Sequence, residues 1–230
     1  MNDDDLPMCY PDLLPDENGL VGVGGRLSPE LVLEMVTRGV FPWTGEHPIP
    51  WFSPDPRLIL IPNDFKVSRS FAKILRRGDF EVRFDTAFRR VMARCAEVTR
   101  PDQDGTWITD NMHEVFGQLH DLGVGHSVEV WRDEELVGGL YGLSLGSAFF
   151  GESMFHTARD MSKVALHALC ERLVDWGFDF IDCQQETSHL ASLGAVAVPR
   201  VQYLERLDRA LAQPTRVGPW AVRNTSTQLL

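Results

Sequence analysis

Apolar and polar residues alternate along this chain with two different periods, helical before about residue 122 and mostly strand-like after it. Ser28-Pro29-Glu30 predicts a helix start, with a capping hydroxyl, proline at the first helical position and an acid in the first turn; it should run to about Arg38, with Gly39 ending it. Ser68 predicts the cap of a second helix to about Arg77, Asp85 that of a third to about Val98, and Thr109 or Asp110 that of a fourth to Leu122. Short strands are expected at 57–61 and 80–84. The period then falls to two. Strands at 126–132, 136–143 and 147–151, joined by Asp133-Glu134-Glu135 and Gly146, predict an antiparallel meander. A long helix follows at 161–176 behind Asp160, with Val164, Leu166, Leu169, Leu173 and Val174 as its apolar stripe. Last come a strand at 178–184, a helical turn at 189–193 and a basic-aromatic tail around Arg200 and Tyr203.

This order predicts an α/β protein of the α+β type with a mixed, mainly antiparallel sheet. The expected division is an extended arm at 1–18 carrying Pro7, Pro11 and Pro15, a small basic N-terminal domain at 19–100, a larger domain at 101–215 and a tail at 216–230. The succession of strands, helix, strand and helix is similar to that of acyl-CoA-dependent acyltransferases of the GNAT fold.

Composition narrows the classes. With 43% hydrophobic and 24% charged residues among 230, the chain is globular in character. No window approaches ~18 consecutive apolar residues, so no membrane span is expected. The acidic start Met1-Asn2-Asp3-Asp4-Asp5 is unlike a secretory signal, and a cytoplasmic location is expected. Cys9, Cys95, Cys170 and Cys183 are scattered without paired spacing, which predicts neither a zinc site nor a disulfide framework. A net charge of −11 argues against nucleic acid until its distribution is considered. Residues 66–100 hold ten basic side chains against four acidic ones, an island able to engage phosphates or simply a pair of solvated helix faces.

Candidate chemistry gathers at a few positions. On the strand at 178–184, alternation puts Phe178, Phe180, Asp182 and Gln184 on one face and Asp179, Ile181 and Cys183 on the other, with Cys183 toward the core. A carboxylate and a carboxamide side by side suit acid–base chemistry, or merely end a strand. Glu152 in Gly151-Glu152-Ser153-Met154-Phe155 is an acid on an apolar strand, which must be paired, hydrogen-bonded or turned to a cleft; Glu129 lies on the same meander. Trp43, at the Phe41-Pro42-Trp43 corner, and Trp107 occupy loops where an aromatic stacks on a base for ~1–3 kcal/mol, or plugs an interface. Ser153 or Cys183 with His156 or His189 makes a weak nucleophilic site, since nothing like a nucleophile elbow surrounds Ser153.

Several longer runs occur in one order: Gly39-Val40-Phe41-Pro42-Trp43, Trp51-Phe52-Ser53-Pro54-Asp55-Pro56-Arg57, Val67-Ser68-Arg69-Ser70, Thr106-Trp107-Ile108 and His126-Ser127-Val128-Glu129-Val130-Trp131. Leu136-Val137-Gly138-Gly139-Leu140-Tyr141-Gly142, the Glu152 run, Ser162-Lys163, Ile181-Asp182-Cys183-Gln184 and Ser192-Leu193-Gly194-Ala195 continue it. Together they make the chain resemble the bacterial leucyl/phenylalanyl-tRNA–protein transferases from about residue 18 to 203. The resemblance implies transfer of leucine or phenylalanine, and methionine less readily, from aminoacyl-tRNA to proteins beginning with arginine or lysine, marking them for degradation. It implies no metal and no coenzyme, a GNAT-like donor domain, and Trp43 and Trp107 sandwiching the terminal adenosine. It also implies Asp182 and Gln184 as the catalytic pair, with Glu152 near the ester.

A mechanism fitting those roles has Gln184 bonding the incoming amine while Asp182 orients Gln184 and helps draw off the proton. Leu140, Met154, Phe155, Leu166, Leu169 and Ile181 are the candidate wall of a pocket for side chains unbranched at Cβ. Lys66, Arg69, Lys73, Arg76 and Arg77 are the candidates for acceptor-stem phosphates. Two departures from the family pattern are Phe52, where a second tryptophan is usual, and the polar Gln185-Glu186-Thr187 after Gln184. Two other readings stand beside this one: an acyl-CoA acyltransferase, disfavoured because no glycine-rich pyrophosphate turn is evident, and a tRNA-end binding module in which Asp182 and Gln184 serve only folding.

Overall fold

In the computed structural model, which describes residues 14–98 and 106–221, the elements are β1 (Leu20–Val23), α1 (Pro29–Thr37), β2 (Phe41–Pro42), β3 (Pro50–Phe52), β4 (Arg57–Leu60), α2 (Arg69–Arg77), β5 (Glu81–Phe84) and α3 (Phe88–Ala96). They continue as α4 (Asp110–Asp121), β6 (Gly125–Arg132), β7 (Glu135–Leu145), β8 (Ala148–His156), α5 (Met161–Asp175), β9 (Phe180–Gln184), α6 (Ser188–Ser192), β10 (Val196–Val198) and α7 (Arg200–Leu211). Residues 1–13 of the expected arm, the polar loop expected from Arg100 to Gly105 and the tail beyond 221 lie outside the described residues.

Three of the sequence-based caps form as expected. Ser28 Oγ accepts from Leu31 N (3.2 Å), Ser68 Oγ from Phe71 N (3.2 Å) and Thr109 Oγ1 from Met112 N (3.3 Å). Asp85 and Asp160 do not cap, because both sit in the left-handed region, at φ 56° and 63°. Asp85 instead accepts from Ser127 N (2.9 Å) and Trp220 N (2.6 Å) and bonds His126 Nδ1 (2.9 Å). The start of α3 is served by the Glu129 carboxylate, which accepts from Thr86 N (3.3 Å) and Ala87 N (3.4 Å). Glu129 is therefore a structural acid. Burial pushes its carboxyl up to about 7 against the hydrogen bonds from Ser127 and Thr86.

A seven-stranded sheet takes the order β10-β4-β9-β8-β7-β6-β5, and a separate three-stranded sheet the order β1-β3-β2. In the large sheet only β8 and β9 run parallel, so it is mixed and mainly antiparallel, as the order of elements predicts. Its strands come from both sides of residue 100: β4 lies between β10 and β9, and β5 borders β6. The expected boundary at 100/101 thus does not coincide with a division of the sheet, and only the strands within residues 20–52 stand apart from it. Two buried clusters cover the two faces. One joins α1, α3, α4 and α7 to the sheet; the other joins α2 and α5. Covered on both faces, β7 is buried from Leu136 to Leu145, which is why its alternation is weak. Gly138 on it is required by close approach, since a Cβ there would stand 2.5 Å from Met161 Cβ at the first turn of α5.

Five elements have no sequence-based counterpart: the short strands β1, β2 and β3, the strand β10 and the helix α7. The basic-aromatic tail is the helix α7, whose first N–H, at Arg200, donates to Asp55 Oδ1 (3.0 Å) from the Ser-Pro-Asp-Pro loop; β10 pairs antiparallel with β4. The expected tail at 216–230 begins inside the protein, with Trp220 buried and stacked at 3.8 Å on His126.

Candidate active site

Pairing between β8 and β9 covers Ala148↔Phe180, Phe149↔Ile181 and Phe150↔Asp182 and then stops, while β8 continues to His156 beside β7. A cleft of about 660 Å3 opens in that gap. All six residues from Gly151 to His156 line it. Because successive strand side chains point to opposite faces, a cavity that touches all six lies on the strand's edge and reaches both faces of the sheet. On the α5 face it is walled by Leu140, Phe149, Leu166, Leu169 and Ile181; on the other it meets Phe41, Pro42, Trp43, Trp107 and Phe155. Exposed His156, Gln185, Thr187 and His189 mark its mouth.

Two backbone irregularities aim polar groups into the gap. The β7–β8 register shifts between Tyr141↔Ser153 and Gly142↔Gly151, leaving Glu152 as an extra, bulged residue on β8. Glu152 lines the cleft with its carboxyl beside the Gln184 side chain. Burial, reinforced by the nearby Asp182 charge, pushes that carboxyl up to about 8, although Arg57 and Gln184 pull the other way. The second irregularity is Gln184 itself, at φ 63°. Its N–H donates to Asp182 Oδ1 (2.9 Å), a turn in which an aspartate side chain captures the backbone two residues on.

That turn corrects the expected alternation. Gln184 faces the cleft together with Ile181 and Cys183, whereas Asp182 does not line it and is fully buried on the far side. There Asp182 Oδ1 and Oδ2 accept from Arg57 Nε (2.8 Å) and Nη2 (2.7 Å), and Oδ2 also from Tyr203 Oη (2.8 Å). Arg57 is itself 1% exposed, donates Nη1 to the Gly39 carbonyl (3.2 Å) and lies over the rings of Phe41 (4.8 Å) and Tyr203 (4.6 Å). Burial alone would lower the guanidinium, but the Asp182 charge overrides it and holds Arg57 above its ordinary range. With both oxygens occupied and no surface in the cleft, the Asp182 carboxylate has no opening to touch a substrate. It fixes the turn that presents Gln184.

The expected site residues divide cleanly. Trp43, Trp107, Leu140, Glu152, Met154, Phe155, Leu166, Leu169, Ile181 and Gln184 all line the one cleft, with Phe155 on the opposite side from the leucines. Phe52 packs on Trp43 with ring centroids 5.0 Å apart, supplying an aromatic neighbour where the family pattern has tryptophan. Lys66, Arg69, Lys73, Arg76 and Arg77 are outside the cleft and exposed, on or just before α2, whose opposite face buries Phe71 and Leu75. Among the described residues only Arg77 of these five has an ion pair, to Asp79 (2.8 Å). Cys183, expected toward the core, lines the cleft instead, and burial pushes its thiol well above the ordinary cysteine range, which keeps it from acting as a nucleophile. His156 is bonded through Nδ1 to Ser162 Oγ (3.2 Å).

Arg57 and Tyr203 escaped the sequence reading. A signal existed for Arg57, since an arginine opening an apolar strand must find an acid if that strand is central. Tyr203 carried no local signal, because its role depends on α7 docking across β9.

The family model described as leucyl/phenylalanyl-tRNA protein transferase matches residues 59–208. A leucyl/phenylalanyl-tRNA–protein transferase of Myxococcus xanthus (strain DK1622) is 54% identical over 217 residues, covering 92% of this chain and 93% of the relative. One of Legionella pneumophila (strain Corby) is 52% identical over 209 residues, covering 90% and 93%. Among solved structures, a GCN5-related N-acetyltransferase from Kribbella flavida matches with a TM-score of 0.38 at 11% identity, over 74% of this chain and 60% of that one.

Proposed function

The chain belongs to the leucyl/phenylalanyl-tRNA protein transferase family, a family of aminoacyltransferases, and from that premise we propose that it moves leucine or phenylalanine, and methionine less readily, from aminoacyl-tRNA to the α-amino group of proteins beginning with arginine or lysine. Such tagging marks the acceptor for degradation by the N-end rule. The observation that carries the reading is the cleft through the sheet, which has two tryptophans toward one face, an aliphatic pocket toward the other and the Glu152–Gln184 pair in the gap between them.

An aminoacyl ester is already activated, so no covalent enzyme intermediate is needed; the protein has to supply orientation, a neutral amine and stabilisation of the tetrahedral oxyanion. Trp43 and Trp107 take the terminal adenosine between them. The aminoacyl group passes through the gap and its side chain enters the pocket of Leu140, Met154, Leu166, Leu169 and Ile181. Shape at Cβ then disfavours valine and isoleucine, at ~1–3 kcal/mol per methylene. Glu152 and Gln184 meet the reacting atoms. The Glu152 carboxyl, held up to about 8, is matched to an α-amine that titrates at about 7.7–8.0, so a proton passes between them at little cost. Gln184 bonds the attacking amine or the developing oxyanion, and Asp182, held by Arg57 and Tyr203, positions Gln184 through its bond to the Gln184 N–H.

Replacing Trp107 or Trp43 by alanine is expected to raise the KM for aminoacyl-tRNA by roughly 5- to 150-fold, the equivalent of ~1–3 kcal/mol of stacking, with kcat at saturating donor little changed. Steady-state kinetics at varied donor would contradict the sandwich if that KM stayed put. The exposed α2 cations are proposed to hold acceptor-stem phosphates. Alanine at Arg69, Lys73 or Arg76 should each reduce the slope of log affinity against log salt by about 0.9 for duplex RNA treated like a B-form helix, or about 0.7 for a single strand. Filter binding across a salt series reads this directly, and an unchanged slope in the triple variant would remove the assignment.

The activity is tested by mixing the protein with leucyl-tRNA or phenylalanyl-tRNA and peptides beginning with Arg, Lys or Ala. Mass spectrometry is expected to find one added residue on the first two and none on the third. No addition to any peptide would refute the transferase reading.

A further inference from the structure

We propose that the acceptor polypeptide is held by its main chain, as a strand added to the cleft-facing edge of β8 at Met154 and His156. This rests on the transferase reading above and adds how the second substrate lies. Thr157 N donates to the Val137 carbonyl (2.9 Å), and the β7–β8 register continues Gly138↔His156, Gly139↔Phe155, Leu140↔Met154, Tyr141↔Ser153. Hydrogen-bonded and non-bonded pairs alternate along an antiparallel ladder. The bonded Thr157–Val137 pair therefore assigns Phe155 and Ser153 to bonds with β7, and turns the N–H and C=O of Met154 and His156 toward the other edge.

On that edge the ladder to β9 ends at Phe150↔Asp182, and among the described residues Met154 and His156 have no ladder partner there. Two residues with outward N–H and C=O, spaced by about 6.6 Å along the strand, make the template on which extended peptides add as strands. Unlike an ordinary sheet edge, this one faces the reaction cleft.

The occupant follows from what the cleft must hold. The donor has its adenosine on one face, its side chain on the other and its ester near Glu152 and Gln184. The acceptor must bring its α-amine to that same point and leave through the mouth, past His156. A chain with its amine at Glu152 that leaves past His156 runs parallel to β8, on the track β9 gives up at Gln184. Held by its backbone, it can carry varied side chains at its second and third positions, which suits an enzyme that acts on the ends of different proteins.

The test uses Arg-initiated peptides in which the amide N–H of residue 2, 3 or 4 is replaced in turn by an ester oxygen, with phenylalanyl-tRNA saturating. The expected result is a loss of about tenfold or more in kcat/KM at alternate positions, under twofold at those between, and an unchanged KM for the tRNA. N-methylation at the same amides should give the same alternation, separating a lost donor from altered chain chemistry. Equal kcat/KM for all three replaced peptides, with the all-amide peptide still a substrate, would overturn the added strand and leave the transferase standing. Failure of the all-amide peptide itself would overturn both.

Discussion

Asp182→Ala is expected to cost about 3–5 kcal/mol of folding stability, because it strands a buried arginine without its partner. Arg57 is 1% exposed and spends Nε and Nη2 on Asp182; its remaining bonds are to the Gly39 carbonyl and to Tyr203, neither of which carries a compensating charge. For a domain of this size the loss corresponds to a Tm lowered by roughly 6–20 °C. Asp182→Asn keeps an oxygen for the Gln184 N–H but loses the charge, so its stability should also fall while more of the Gln184 turn survives. Thermal unfolding of the two variants decides this, and a drop below about 1 kcal/mol in Asp182→Ala would mean the pair is less buried than it stands here. Kinetics separates positioning from proton transfer. As a positioning residue, Asp182 should lower kcat when replaced by Asn yet leave a pH dependence in place, its midpoint moved down because the Asp182 charge no longer helps hold the Glu152 carboxyl up.

Glu152→Gln is expected to do the opposite on stability and worse on activity. The Glu152 carboxyl is held up to about 8, above its unfolded value of about 4.3. A raised carboxyl contributes its full stability below the unfolded value and loses it progressively as pH rises to the folded one. Glutamine does not titrate. Its advantage should therefore be absent near pH 4, grow between about pH 4.5 and 8, and stay constant above that, reaching a Tm gain of several degrees at pH 8. Meanwhile kcat at saturating acceptor should fall roughly 100- to 10,000-fold and lose its dependence centred near pH 8. Melting curves and pH–rate profiles on one preparation test both halves. A variant both less stable and fully active would reverse the assignment.

Much of this was legible in the residues, for reasons that differ by element. Ser28, Ser68 and Thr109 announced their helices because a cap is a local hydrogen bond, decided within three residues. The meander followed from alternation and its turns. Asp85 misled because its carboxylate is taken by tertiary partners, among them Trp220 well over a hundred residues away, while Asp160 stands at the head of α5 with a left-handed backbone and its carboxylate held by Lys163 and Arg159. The joining of β4 and β5 to the large sheet was invisible for the same reason, since pairing across the chain leaves no short-range pattern. At the site, side-chain type pointed to Glu152, Gln184 and the two tryptophans, and the cleft gathers all four. The face of Gln184 was misread, while Asp182 keeps the face of Phe180. Alternation holds only while the strand does, and the aspartate turn at Gln184 breaks it at the last residue.

The most direct measurement is single-turnover transfer of phenylalanine from phenylalanyl-tRNA to an Arg-initiated peptide by Gln184→Gly, with both substrates saturating. Glycine accepts the φ of 63° that glutamine must be held in, so the backbone turn is retained while the side chain with its carboxamide is removed. A rate at least about 100-fold below the unsubstituted protein, with donor affinity and Tm unchanged, is the expected result. A rate within tenfold would contradict the claim that the Glu152–Gln184 pair in this gap carries the transfer.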